Sequence, residues 1–222
     1  MKLLNEYNVK KPIIILGAGG HAKVLAEVLR STGYKILGLT DPLMKSGETK
    51  FGVVCLGDDE KLQEYSVDEI ELVNGIGAIP GQHLRWELGK RLRELGYSFV
   101  TVIHPSAILS SDVKLANGAQ IMAGAVLQPG VHIGCDSIVN TGVCVDHDCY
   151  IGDSCHLAPG VTLSGEVRVG DGVHVGTGAC VIQDIEIGAR TVIAAGSVIY
   201  NDLPADMKFI QLQQMKAELN ND

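Results

Sequence analysis

"VHIGCDSIVNTGVCVDHDCYIGDSCHLAPG", residues 131–160, places an aliphatic side chain at every sixth position: Ile133, Val139, Val145, Ile151 and Leu157. The spacing continues in both directions without insertion, from Ile103 to Ile199. Four residues after most of these positions a small or β-branched side chain recurs, as at Ala107, Val131, Val143, Val161 and Ala179. Ordinary strands alternate at two and lose register across turns. A strict period of six instead predicts one short strand and one turn per six residues, stacked by rotation into a solenoid.

Upstream of the repeats the pattern changes. "PIIIL" (12–16) reads as a buried strand, and "HAKVLAEVLRSTG" (21–33) as a helix with Val24, Leu25, Val28 and Leu29 on one face and Gly33 as its stop. "YKILGL" (34–39), "IELVNGIG" (70–77) and "YSFVTVI" (97–103) read as further strands, with a helix over 81–96 before the last. This alternation predicts a small parallel sheet. The boundaries that follow are 1–102 for a βαβ domain, 103–204 for the solenoid and 205–222 for a tail. In the tail, Phe209, Ile210, Leu212, Met215 and Leu219 suggest a short helix.

Composition agrees with a thin repetitive architecture. Aromatic residues make up only 5% while glycine numbers 27, so the core must be built from aliphatic and very small side chains. A net charge of −8 argues against nucleic acid as a partner, because phosphate binding needs a basic face. The opening residues lack the apolar run and cleavage site of a secretory signal, and no stretch has the length of a membrane span. Six cysteines without a C-x-x-C pair point to reduced thiols in a cytoplasmic protein.

The strict hexads resemble those of the hexapeptide-repeat acyltransferases, whose fold is a left-handed parallel β-helix with three hexads per coil. "ILGAGGHAKVLAEVL", "GLTD" and "VIHPSAILS" sharpen the resemblance to the nucleotide-sugar N-acetyltransferases and the related sialic acid O-acetyltransferases. It covers roughly residues 12–204. The resemblance implies just under six coils, a homotrimer with its active site between subunits, and acetyl-CoA as acetyl donor. The acceptor it implies is a nucleotide-linked amino sugar, a 4-amino-deoxy sugar made for surface glycans. Sugar O-acetylation and a non-catalytic nucleotide-binding scaffold stand as alternatives.

Gly17-Ala18-Gly19-Gly20-His21-Ala22 fits the dinucleotide fingerprint, with Asp41 about twenty residues on. Glycines let a backbone approach a ligand, and a helix N-terminus offers free N–H groups to phosphate. Only about ninety residues precede the hexads, too few for two mononucleotide halves, so one nucleotide is the better fit. The resemblance nominates Gly19, Gly20, His21 and Asp41 for the nucleotide-diphosphate sugar, with Gly77 after the next long strand.

"VDHDC" (145–149) puts Val145 and Cys149 inward and Asp146, His147 and Asp148 at an outward corner. Acetyl transfer to an amine needs a base that titrates near neutrality, and a carboxylate beside it to hold one tautomer. The resemblance makes His147 that base, Asp148 its partner, and Asn140 part of the acceptor site. It assigns His156 to the acetyl group or thioester, and Gly165, Gly176 and Ala195 to coenzyme A. His174, eighteen residues after His156 and so stacked on it, has no role in the resemblance. Zinc is not expected, since the close H-x4-H pair of hexapeptide carbonic anhydrases is missing. Relatives end their last coil in G-x-P-A-[KR]; this chain reads "DLPADMKFIQLQQMKAELNND" instead.

Overall fold

The structure, a computed structural model, describes residues 10–81 and 84–211. The N-terminal unit runs β1 (Ile13–Leu16), α1 (Gly20–Ser31), β2 (Ile36–Thr40), β3 (Thr49–Lys50), β4 (Val53–Gly57), a 3-10 turn (Asp59–Glu64), β5 (Glu71–Asn74) and α2 (Leu84–Glu94). All four residues of β1 are fully buried, as the central strand of the order β3-β4-β2-β1-β5 requires. The chain leaves β1 through α1 to β2 on one side and later returns to β5 on the other. The carboxyl ends of β1 and β5 therefore form a switch point, where open α/β sheets leave a crevice.

Two expectations are corrected here. The sheet is mixed, because β3 and β4 form an antiparallel hairpin at its edge. Phe51 and Gly52 both take positive φ in its two-residue turn, and "FG" lacks the Asn-Gly or Asp-Gly signal that announces such turns. The strand expected over 97–103 is mostly absent: Phe99 makes a single bridge to Leu72, and only Val102–Ile103 pairs further, with the solenoid.

From Val102 the chain winds as a left-handed parallel β-helix of three sheets with seven, six and five two-residue strands, about six coils. Each strand turns its second residue inward. Ile121, Leu127, Ile133, Val139, Val145, Ile151, Leu157, Leu163, Val169 and Val175 form one continuous aliphatic core. Ile103 has no coil beneath it and stays 40% exposed. Corners use left-handed backbone, filled by glycine or by residues that tolerate it, Asp148 (φ 58) among them. Lys208–Phe209 forms a further strand on Val192–Ile193, so the expected tail helix does not include Phe209; Leu212, Met215 and Leu219 lie outside the described residues.

The three outward faces differ. One carries Val102, Gln120, Ile138, His156, His174, Val192 and Lys208, and the N-terminal unit docks on it. The next carries Ile108, Val126, Cys144, Thr162, Cys180 and Val198, with no charge. The third carries Lys114, His132, Tyr150, Arg168 and Glu186. We call these the docking, plain and charged faces.

Docking is both apolar and polar. Met122 and Val102 join the core formed by β1, β2 and α1. Gln120 donates from Nε2 to the carbonyl of Asn74 at 2.9 Å, and Arg85 donates to the carbonyl of Asp136 at 3.1 Å. Arg93 grips the Asp136 carboxylate through both terminal nitrogens. Among the described residues no helix is long and apolar enough to cross a membrane.

Candidate active site

The loop after β1 and the ends of β2 and β5 enclose a cavity of about 310 Å³, lined by Gly17, Gly19, Asp41, Leu43, Ile76 and Gly77 among others. Gly19 is the N-cap residue of α1, with no side-chain cap and no acidic residue in the first turn. The first amides of α1 are thus left for a ligand. Gly17 takes φ 85, which a β-carbon would strain. Asp41 anchors the loop: its Oδ2 accepts from the amide of Ala18 and its Oδ1 from that of Leu43, each at 2.9 Å. Each oxygen keeps a second lone pair for a donor in the cavity.

Gly20 and His21 are nominated with this loop but do not line the cavity. The His21 ring instead meets Gln120 of the solenoid, Nε2 to Oε1, at 2.6 Å. Because the Gln120 amide nitrogen is already turned to Asn74, its oxygen faces His21 and Nε2 of His21 carries the proton. Burial, followed by the charge of Arg85, lowers the His21 pKa to about 4, against the raising effect of the Gln120 bond. Its side chain couples the domains; only its backbone sits near the loop.

His147 stands at the corner between plain and charged faces, about half exposed. Its Nδ1 lies 2.9 Å from Oδ2 of Asp148, and its amide donates to Oδ1 of Asp146 at 2.9 Å. The Asp148 bond raises the His147 pKa; desolvation opposes it, and the charges of Asp146, Asp148 and Glu166 add to the rise. The single carboxylate step of Asp148 therefore does reach the ring. With Nδ1 paired, Nε2 is the nitrogen left for a substrate proton.

Gly165 lies one coil beyond His147, directly against its ring. A β-carbon there would stand 2.6 Å from Cε1 and Nε2 of His147. Gly176 is explained by coil stacking: a β-carbon would meet the amide nitrogen of Ala195 at 2.5 Å. Gly134, Gly152, Gly170 and Gly188 are equally tight against the following coil, so smallness at 176 is a property of the repeat. Ala195 is exposed.

Asn140 and His156 sit elsewhere, on the docking face and its corner with the plain face. The Asn140 amide is 3.1 Å from Nε2 of His156, whose Nδ1 is 3.3 Å from Nδ1 of His174. Burial first, then the charges of His174, His21 and Arg85, takes the His156 pKa down to about 3. His156 and His174 line a second cavity of about 200 Å³, walled by Ile79, Pro80 and Trp86 of the N-terminal unit. Within one chain, then, His147 and Asn140 occupy different corners of the prism. Gln120 and Arg85 were not singled out in the sequence. Reading outward residues in steps of eighteen would have flagged Gln120, a polar side chain in the row of His156. Among the described residues no three His, Cys, Asp or Glu side chains gather as metal ligands.

Comparison with known proteins places this geometry. Residues 12–92 match the PglD N-terminal domain family. A UDP-N-acetylbacillosamine N-acetyltransferase of Bacillus subtilis is 36% identical over 116 residues, 51% of this chain and 52% of that protein, so the match spans about half the length of that relative. The solved perosamine N-acetyltransferase of Caulobacter crescentus, in complex with CoA and GDP-perosamine, is 39% identical, covering 88% of this chain and 92% of that one at a TM-score of 0.81. The acetyltransferase domain of PglB from Neisseria gonorrhoeae is 31% identical, covering 88% and 94%, with a TM-score of 0.82.

Proposed function

Since the chain belongs to the hexapeptide-repeat nucleotide-sugar acetyltransferases, we propose that it transfers the acetyl group of acetyl-CoA to the amine of a nucleotide-linked 4-amino-deoxy sugar, with His147 as general base. The observation that carries the assignment is the His147–Asp148 pair, an exposed imidazole with one nitrogen bound to a carboxylate at 2.9 Å and the other open. Asp148 holds the Nδ1–H tautomer, so the lone pair of Nε2 points outward. Nε2 takes the proton that the amine loses as its nitrogen bonds to the acetyl carbon. As the C–S bond breaks, the same proton returns to the departing sulfur. The residues set for coenzyme A are the exposed Ala195 and the donors beside His156, with coenzyme A supplying the activated acetyl group when bound.

The proposed assembly is a trimer packed through the plain faces. That face carries no charge, whereas the docking face is already covered and the remaining face bears Lys114, Arg168 and Glu186. Three prisms turning one face inward bring the docking–plain corner of one subunit against the plain–charged corner of the next. Asn140 and His156 of one chain would then meet His147 of its neighbour, which accounts for their separation in a single chain. In this reading the cavity at Gly19 and Asp41 holds the nucleotide, and binding there orients the remote amine.

The test is acetyl transfer by the purified protein to a panel of UDP-, GDP- and dTDP-linked 4-amino sugars, with the matching hydroxy sugars and nucleotide-free amino sugar alongside. N-acetylated nucleotide sugar as the preferred product is expected. Preference for a hydroxyl acceptor would move the reading to O-acetylation, and no transfer at all would leave a scaffold.

A further inference from the structure

Asn140, His156 and His174 form a hydrogen-bonded chain whose direction is set from one end. The amide of Thr141 donates to Oδ1 of Asn140 at 2.8 Å, which turns the Asn140 amide nitrogen toward Nε2 of His156. An amide nitrogen can only donate, so Nε2 of His156 accepts and carries no proton. The neutral ring then holds its proton on Nδ1, facing Nδ1 of His174. That nitrogen must accept, and the proton of His174 sits on Nε2. Both rings stay neutral near pH 7, since burial lowers both pKa values. The charged groups around the pair, Arg85 and the Arg190–Asp206 pair at the cavity wall, leave the direction unchanged because none bonds to either ring. The Ala78 carbonyl also faces His156 and favours a proton on that ring. Among the described residues Nε2 of His174 makes no hydrogen bond, and the side chain lines the 200 Å³ cavity.

We propose that Asn140 is the positioning residue that fixes His156 in the Nδ1–H tautomer and, through it, His174 in the Nε2–H tautomer, so that His156 is a relay and the donors offered to an acceptor oxygen of a ligand are the second amide hydrogen of Asn140 and Nε2–H of His174. His156, which the family resemblance assigns to the acetyl group, has both ring nitrogens engaged by the protein. Its effect on a ligand passes through its two neighbours. That the ligand is acyl-coenzyme A, offering a thioester or amide carbonyl, rests on the acetyltransferase reading; the tautomer assignment does not.

The experiment is a long-range ¹H–¹⁵N correlation spectrum of the ¹⁵N-histidine-labelled full chain at pH 7.5, with His156 identified by its loss in His156→Gln. Wild type should show a protonated Nδ1 and a bare Nε2 on His156. Asn140→Asp, whose carboxylate accepts where the amide donated, should move the proton to Nε2. His174→Gln should keep it on Nδ1, because Oε1 accepts from His156 while the amide still donates outward. A wild-type His156 protonated on Nε2, or an Asn140→Asp spectrum unchanged at His156, overturns the proposal. In kinetics, one lost hydrogen bond should raise the KM for acetyl-CoA about fivefold in His174→Phe, with kcat within about twofold and His174→Gln near wild type. An unchanged KM in His174→Phe refutes the donor role of His174. Failure of the wild-type protein to transfer acetyl groups would instead defeat the acetyltransferase reading while the spectra still decide the tautomer.

Discussion

The ring of His147 lies over the bare Cα of Gly165, so close that a β-carbon on Gly165 would stand 2.6 Å from the nitrogen proposed to take the substrate proton. The backbone of Gly165 is not left-handed, so alanine is conformationally acceptable there and the ring must move instead. A displaced base costs rate far more than stability. Gly165→Ala should lower turnover about 10- to 100-fold while shifting the melting temperature by no more than about 2 °C. Steady-state kinetics with calorimetry checks both, and full activity would show that the ring position is unimportant.

His147→Ala should reduce turnover by about 10²–10⁴ with coenzyme A binding intact. Titration calorimetry with coenzyme A separates loss of the base from loss of the site.

Asp148 acts through the pH profile. The base must be neutral to work, so activity falls as pH drops through the His147 pKa. The Asp148 bond raises that pKa. In Asp148→Asn the acid limb of kcat/KM should therefore move to lower pH, with a smaller loss at its plateau than in His147→Ala. A limb that stays in place would mean another group sets it.

Asp41 pins the loop after β1 through the amides of Ala18 and Leu43. Asp41→Ala should raise the KM for the nucleotide sugar about tenfold, the effect of roughly 1.4 kcal/mol, with little change for acetyl-CoA. The amino sugar without its nucleotide should be a very poor acceptor. Equal efficiency with and without the nucleotide would remove the βαβ unit from acceptor recognition.

His21 makes the stability of the chain pH-dependent. Its pKa is about 4 in the folded chain and near 6.5 when unfolded, so between these values the unfolded state binds the extra proton. Its contribution is full above about pH 6.5 and is lost as pH falls toward 4, the loss reaching roughly 2 kcal/mol at pH 5. His21→Gln should flatten the fall in denaturation midpoint between pH 7 and 5; an unchanged slope would place the titration elsewhere.

The hexads from Ile103 to Ile199 decided the solenoid by themselves, because one aliphatic residue per six can be buried only if every coil repeats the last. The corner that presents His147 followed from the same period: with Val145 and Cys149 inward, residues 146–148 have to face out. The glycine loop and Asp41 were legible too, since a βαβ turn leaves few uses for three glycines before a helix. The hairpin at Thr49–Lys50 and Val53–Gly57 was not, for its Phe51-Gly52 turn carries no local signal. Tertiary packing alone decided the rest. Gly165 reads as one small residue among many until His147, eighteen positions earlier, is laid over it by coil stacking. His21 reads as part of a phosphate loop, yet its ring crosses to Gln120, because docking the two domains turns the Gln120 amide nitrogen to Asn74 and leaves its oxygen facing the His21 ring. The separation of His147 from Asn140 on different corners is likewise a property of the wound prism. Sequence spacing sets which residues face outward, while the three-dimensional path of the backbone sets which outward residues meet.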